Sequence, residues 1–269
     1  MVMNEELINR LPPSLRELAK QHLPDKPVRI PTTEERDQRE RELSRRLTKK
    51  MEAQKAMVYL DKSLWPAGIP IKFTFADWQP EKQPDQQKAR EIGNKAWMIA
   101  KEAEENKPFN VALLGSPGTG KTSLALAMAR KLSDDCGWSW MFVSTPELKT
   151  LVEDQFDVTD LKQKLADTTR AMTETSVLIL DDFGTEGGLV SRIYERGYKG
   201  AHSSLQQLMY KVANARFGKP DKMTIITTNN TNQELERIYD PKIISRLVTQ
   251  NKTHRIAFNG MSDVRAMEG

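Results

Sequence analysis

The run Phe109-Asn-Val-Ala-Leu-Leu-Gly-Ser-Pro-Gly-Thr-Gly-Lys-Thr-Ser123 constrains the fold most: a short apolar strand passes directly into G-x-x-x-x-G-K-T. Gly115, Gly118 and Gly120 permit backbone conformations that side chains would obstruct, so successive N–H groups can point inward at phosphate oxygens. Lys121 then supplies a point charge for the β- and γ-phosphates, and the Thr122 hydroxyl can sit on Mg²⁺. Ser123 to Leu132 is rich in strong helix formers and Gly137 stops it. A helix starting at the loop aims its N–H groups and positive dipole end at the phosphates, so strand, loop and helix form one triphosphate-binding unit. Its nucleotide contacts are expected at Gly115, Pro117, Gly118, Thr119, Gly120, Lys121, Thr122 and Ser123.

Such a unit needs a parallel sheet, and the chain supplies one. The spacing predicts a helix at Gln86–Glu105 and strands at Phe109–Leu114, Trp138–Val143, Ser176–Leu180, Met223–Thr228 and His254–Phe258. Helices are predicted between them at Ser123–Leu132, Pro146–Val152, Asp160–Thr173 and His202–Arg216. Alternating helices and near-continuously apolar strands mean a parallel sheet covered on both faces.

The amino-terminal third reads differently. Pro12-Pro13 interrupts a short amphipathic segment at Asn4–His22, and Pro24, Pro27 and Pro31 make a connector. Thr32-Thr33-Glu34-Glu35 has the composition of a helix start. From Glu35 to about Asp61 the chain is densely charged, with Leu43, Leu47, Met51, Met57 and Leu60 in a narrow apolar stripe. That stripe suits either a helix docking on a partner or one packed along its own domain. Between Trp65 and Gln86 the chain carries four prolines and the aromatics Phe73, Phe75 and Trp78, the composition of a linker that packs down. The expected organisation is a helical partner-binding region at 1–64, a linker at 65–85 and an ATPase domain at 86–269.

Charged residues make up 29% of the chain, and no run approaches the roughly 18 apolar residues of a membrane span. Its start lacks the basic and apolar segments of a signal peptide, so the expectation is cytoplasmic. Cys136 is the single cysteine, which excludes an internal disulfide and any cysteine-rich zinc module. The net charge of +4 says little until its distribution is known.

Val177-Leu-Ile-Leu-Asp-Asp-Phe-Gly184 is the second signature, a buried strand ending in two acids at the rim of the sheet. Asp181 is the expected holder of the Mg²⁺ shell, and Asp182 is placed to polarise the attacking water. The strand Met223–Thr228 ends in Asn229 and Asn230, of which Asn229 is the choice for orienting that water and Asn230 the alternative. Arg192, Tyr194, Arg196, Tyr198 and Lys199 follow the second acid in a glycine-bounded segment. Basic and aromatic side chains so interleaved suit single-stranded DNA, or make a solvated loop.

With Ile243-Ile-Ser-Arg-Leu247 added, the set resembles the AAA+ ATPases, and within them the DnaC/DnaI helicase loaders and their IstB-like relatives. The resemblance covers roughly residues 65 to 265. It extends to the lead-in Ala67-Gly-Ile-Pro and Phe73-Thr-Phe-Ala-Asp-Trp78, and to Phe258-Asn-Gly-Met-Ser-Asp-Val-Arg265. It implies an α/β, three-layer AAA+ fold on a five-stranded parallel sheet, with a helical amino-terminal arm; unlike full AAA+ proteins, no carboxy-terminal lid is expected, since only about a dozen residues follow Phe258. It further implies slow, assembly-dependent ATP hydrolysis at sites shared between subunits. Arg246 would be the arginine finger for a neighbour's γ-phosphate, or else an intrachain ion-pair partner, and Arg265 a nucleotide sensor in cis.

The implied partners are a replicative hexameric DNA helicase, single-stranded DNA and further copies of the chain in an open ring or spiral. Two departures stand out. Asp182 replaces the family's frequent Glu, and the zinc module of DnaI-like loaders has no cysteines to build it. A transposition helper that binds duplex DNA and a transposase, and an ATP-gated adaptor without turnover, share these motifs.

Overall fold

The computed structural model describes residues 12–13, 15–17, 32–105, 108–155, 159–187 and 200–264. Within them five strands form one sheet: β1 (Val111–Leu114), β2 (Trp140–Ser144), β3 (Val177–Asp181), β4 (Met223–Thr228) and β5 (Arg255–Ala257). All pairings are parallel and the order is β2-β3-β4-β1-β5. Because successive strand residues face opposite sides, β3 sends Leu178 and Leu180 into one core and Val177 and Ile179 into the other. α2 (Gln86–Glu105) and α3 (Lys121–Cys136) cover the second core; α4 (Thr145–Asp154), α5 (Thr159–Glu174), α6 (Ser203–Arg216), α7 (Asn232–Ile238) and α8 (Pro241–Leu247) cover the first. This is the three-layer α/β fold that the alternation predicts.

The chain divides into two compact units, Met1–Met51 and Glu52–Gly269. A long helix, α1 (Thr33–Asp61), precedes the α/β core. It opens on a reciprocal cap in which Glu35 N–H donates to Thr32 Oγ1 (3.2 Å) and Thr32 N–H to Glu35 Oε2 (3.0 Å). Leu43, Leu47 and Met51 recur every fourth residue and are 57%, 52% and 59% exposed.

The proline- and aromatic-rich linker packs down on the sheet. Leu64 pairs with β2, donating its N–H to Phe142 O and accepting from Ser144 N–H, each at 2.9 Å. Trp65 stacks on Phe142 with centroids 4.4 Å apart. β1 begins at Val111 and not at Phe109, because the Phe109 ring is stacked on His254 at 3.5 Å. Asn110 turns its side chain to the Thr224 N–H and the Arg246 carbonyl, at 3.0 and 2.8 Å.

At the start of β3 and β4, the end away from the phosphate loop, Arg216 is fully enclosed. It donates to Met172 O (3.0 Å), Thr175 O (2.7 Å), Ser176 O (3.0 Å), Met223 O (2.6 Å) and Thr224 Oγ1 (3.1 Å). Its burial lowers the guanidinium to about 9. After β5, residues 258–264 form no helical lid; they fold back over the β1–α3 loop. Among the described residues no helix is long and apolar enough to cross a membrane.

Candidate nucleotide site

β1 delivers the chain to the rim of the sheet and α3 carries it away, so residues 115–120 must reverse within a few bonds. Gly118 and Gly120 have φ of +72° and +93°, left-handed conformations that favour glycine. Both positions are also crowded. A Cβ on Gly118 would lie 1.8 Å from the Asp263 carboxylate, and one on Gly120 would lie 2.7 Å from the Trp78 ring. Within the loop Thr119 Oγ1 donates to Ser116 O at 2.9 Å.

Lys121, at the first turn of α3 and only 5% exposed, folds back into the loop. Its Nζ donates to Gly115 O (2.9 Å), Ser116 O (2.7 Å) and Asn229 Oδ1 (2.8 Å). Strand order explains the last contact. β4 lies between β3 and β1, so the residue just after β4 stands between the acids and the phosphate loop. Asn229 occupies that place. Asn230 is buried, its Oδ1 beside Gly184.

The two aspartates differ in how they are held. Asp181 closes β3 and is buried; its Oδ1 accepts from Thr122 Oγ1 (2.8 Å) and Thr227 Oγ1 (2.7 Å). Burial, then the charge of Asp182, push its carboxyl up to about 6 against the opposing hydroxyl bonds and Lys121. Asp182 is fixed through its backbone. Its N–H donates to Thr227 Oγ1 (2.9 Å), and its carbonyl accepts from Thr145 Oγ1 (3.0 Å) and Thr185 Oγ1 (2.9 Å). It has φ of +55°, a region that Asp tolerates better than most residues. The described residues provide no hydrogen-bond or ion-pair partner for its carboxylate.

Arg246, at the end of α8, lies at the opposite end of the sheet: its carbonyl is bonded to Asn110, the residue before β1. The four residues of β1 separate that position from the phosphate loop, a span of about 13 Å. Its Nη1 donates to Lys242 O at 3.3 Å, and the described residues place no carboxylate within ion-pair distance. Arg192, Tyr194, Arg196, Tyr198, Lys199 and Arg265 lie outside the described residues.

A strand-loop-helix with an intraloop lysine, a hydroxyl bonded to a strand-end acid and this strand order is a P-loop nucleotide site. The model of the IstB-like ATP binding proteins matches residues 31–262. The chain belongs to the IstB-like ATP-binding family. Among solved structures, DnaI is 19% identical with a TM-score of 0.52, and the match covers 74% of this chain and 96% of that one. The DnaC helicase loader is 18% identical with a TM-score of 0.46, over 63% and 89% of the two chains. AMPPCP-bound DnaA from Aquifex aeolicus is 16% identical with a TM-score of 0.44, over 62% of this chain and 48% of that one, so the chain spans about half its length. No curated protein matches at a significant level. At these identities the likeness to DnaI is one of fold, the AAA+ P-loop fold.

This IstB-like chain builds its ATP site from more than the motif residues. Trp78 reaches over Gly120 and ties its indole N–H to Ala89 O at 3.0 Å. Gln83 grips the returning tail with two bonds, Nε2 to Ser262 O (3.0 Å) and Oε1 from Ser262 N–H (2.8 Å). Val264 N–H donates to Gly118 O at 3.2 Å. Glu186, buried behind the acids, accepts from Gly184 N–H at 2.7 Å, and burial raises its carboxyl. Thr227 and the tail had local signals, in the polar end of β4 and in Ser262-Asp263-Val264. Trp78 stood in the lead-in that carries the resemblance, without a role at the site, and Gln83 had no signal; their place follows from how the linker packs.

Proposed function

We propose that the protein is an ATP-dependent loader of a replicative hexameric DNA helicase, which assembles on ATP, grips single-stranded DNA through its AAA+ domain and hydrolyses ATP slowly at subunit boundaries. The observation that carries this reading is the split of the site. Phosphate loop and acids stand at one end of the sheet, and Arg246, with no acid to neutralise it among the described residues, stands at the other. A guanidinium so placed is out of reach of its own chain's phosphate loop, which supports a role toward the triphosphate of another subunit. The exposed Leu43, Leu47 and Met51 stripe supports docking of the amino-terminal helix on the helicase.

Within the site, Lys121 exchanges its loop carbonyls for phosphate oxygens and Asn229 orients the attacking water. The Asp182 carboxylate, held at a fixed point by its backbone, polarises that water. Thr122 and Asp181 are an all-oxygen pair suited to Mg²⁺, and the desolvated Asp181 is a charge that such a cation would stabilise. Bound with the nucleotide, Mg²⁺ would neutralise developing phosphate charge.

Mixing the full chain with its host's replicative helicase, single-stranded DNA and a slowly hydrolysed ATP analogue tests this, with complex formation read by size and by electron microscopy. A nucleotide-dependent complex containing helicase is expected. No helicase in the complex, together with a preference for duplex DNA, would overturn the loader reading. The IstB-like match over residues 31–262 would then favour a transposition helper acting on duplex DNA with a transposase.

A further inference from the structure

The end of the sheet opposite the phosphate loop holds a cavity of about 650 Å³, within the range of small-ligand sites. Its described lining includes Arg216, Phe217, Lys219, Lys222 and Arg246, and no acidic side chain. Two of the four cations are already engaged. Arg216 is surrounded by carbonyls, and Lys222 pairs with Asp221 at 3.3 Å. Lys219 and Arg246 have no carboxylate within ion-pair distance among the described residues.

Arg246 is held by rings. Its guanidinium lies 5.4 Å from the centroid of Tyr210 and 5.7 Å from that of Phe217, both on the α6 segment. Tyr210 is 39% exposed and Phe217 60%, so neither ring serves the buried core. A carboxylate partner would neutralise the arginine. Aromatic faces fix its position while leaving the charge intact and most N–H donors unoccupied, the state needed for fork-like recognition of phosphate.

We infer that Tyr210 and Phe217 are positioning residues that hold the Arg246 guanidinium for a triphosphate presented by another subunit, and that Lys219 is a second phosphate-binding cation of the same cavity. The inference rests on the split-site reading above. A phosphate could also come from a nucleic-acid backbone, so the test separates the two sources.

Full-length Arg246→Ala supplies phosphate loops without fingers, and Asp182→Asn supplies fingers without hydrolysis. Their mixture is expected to hydrolyse ATP faster than the sum of the two alone. Adding Tyr210→Leu with Phe217→Leu, or Lys219→Ala, to the Asp182→Asn partner should cut this gain by about tenfold, the scale of one lost transition-state contact. Affinity for a fluorescent ATP analogue should stay unchanged, which shows that the variant is folded. Tyr210→Phe and Phe217→Tyr, which keep the rings, should restore the gain. The same variants should weaken ATP-driven self-association in sedimentation velocity and leave the ADP state alone, a readout available however slow the turnover.

A full gain and full ATP-driven association with the leucine pair would overturn the positioning role while leaving the Arg246→Ala result in place. Weaker, less salt-dependent single-strand binding with an unchanged gain would assign the cavity to nucleic acid and overturn it as well. If Arg246→Ala alone hydrolyses ATP and self-associates like the wild type at every concentration, the split site itself fails.

Discussion

Asp182 shows how one residue can be fixed without using its side chain. Backbone bonds to Thr227, Thr145 and Thr185 hold it at φ +55°, and that conformation favours Asp over the longer Glu. Asp182→Asn is expected to keep ATP affinity and slow phosphate release by about 10² or more, as loss of a general base does; an unchanged rate would remove Asp182 from the chemistry, and no phosphate release from either form with DNA and partner present would assign the protein to the non-hydrolysing adaptors. Lys121→Ala should abolish nucleotide binding in a fluorescent-analogue titration, since it removes the one cation tied into the loop by Gly115, Ser116 and Asn229. Asp181 gives a pH signature. Its folded value of about 6 lies above the ordinary 3.8, so the folded state holds the proton more tightly than the unfolded one. The associated stability is present below pH 3.8 and lost as pH rises through about 6, roughly 3 kcal/mol in all. Without Mg²⁺ or nucleotide, the wild type should therefore lose stability relative to Asp181→Asn between pH 4 and pH 7. Parallel denaturation curves for the two would show that the carboxylate is better solvated than its burial implies.

At the scale of elements, Arg216 joins the end of α6 to the starts of β3 and β4. Arg216→Met leaves several buried carbonyls without a donor and should cost about 3–5 kcal/mol in urea unfolding. A loss below 1 kcal/mol would mean that water replaces the guanidinium. The elements most legible in the sequence were those whose local pattern is decisive. Gln86–Glu105 and Met223–Thr228 have the predicted bounds, and Gly137 ends α3 with φ of +70°. Where tertiary contacts compete, the pattern misplaces the boundary: Phe109 reads as strand but is claimed by His254. The candidate site divides the same way. The loop glycines, Lys121 and the acids are read in order along the chain, because strand-loop-helix chemistry is local. Thr227 meets Asp181, Trp78 meets Gly120 and Tyr210 meets Arg246 only because of strand order and helix packing, which no single stretch encodes.

For the whole molecule, the proposed function depends on surfaces that one copy leaves unfinished. The stripe Leu43, Leu47 and Met51 is expected to bind the helicase, so Leu43→Asp with Leu47→Asp should abolish co-purification with it while ATP affinity stays within about twofold. Helicase binding that survives the pair would move the docking surface elsewhere. The route by which copies can join is narrowed by a contact that has no part in the chemistry. Leu64 lies along β2, and at the other flank β5 is only three residues long, so neither edge offers a long row of open backbone groups. Strand addition, the commonest unwanted form of association for a parallel sheet, has little to grow from on either side. Copies of this chain can then crowd together at high local concentration, as the proposed assembly requires, with their sheets kept apart.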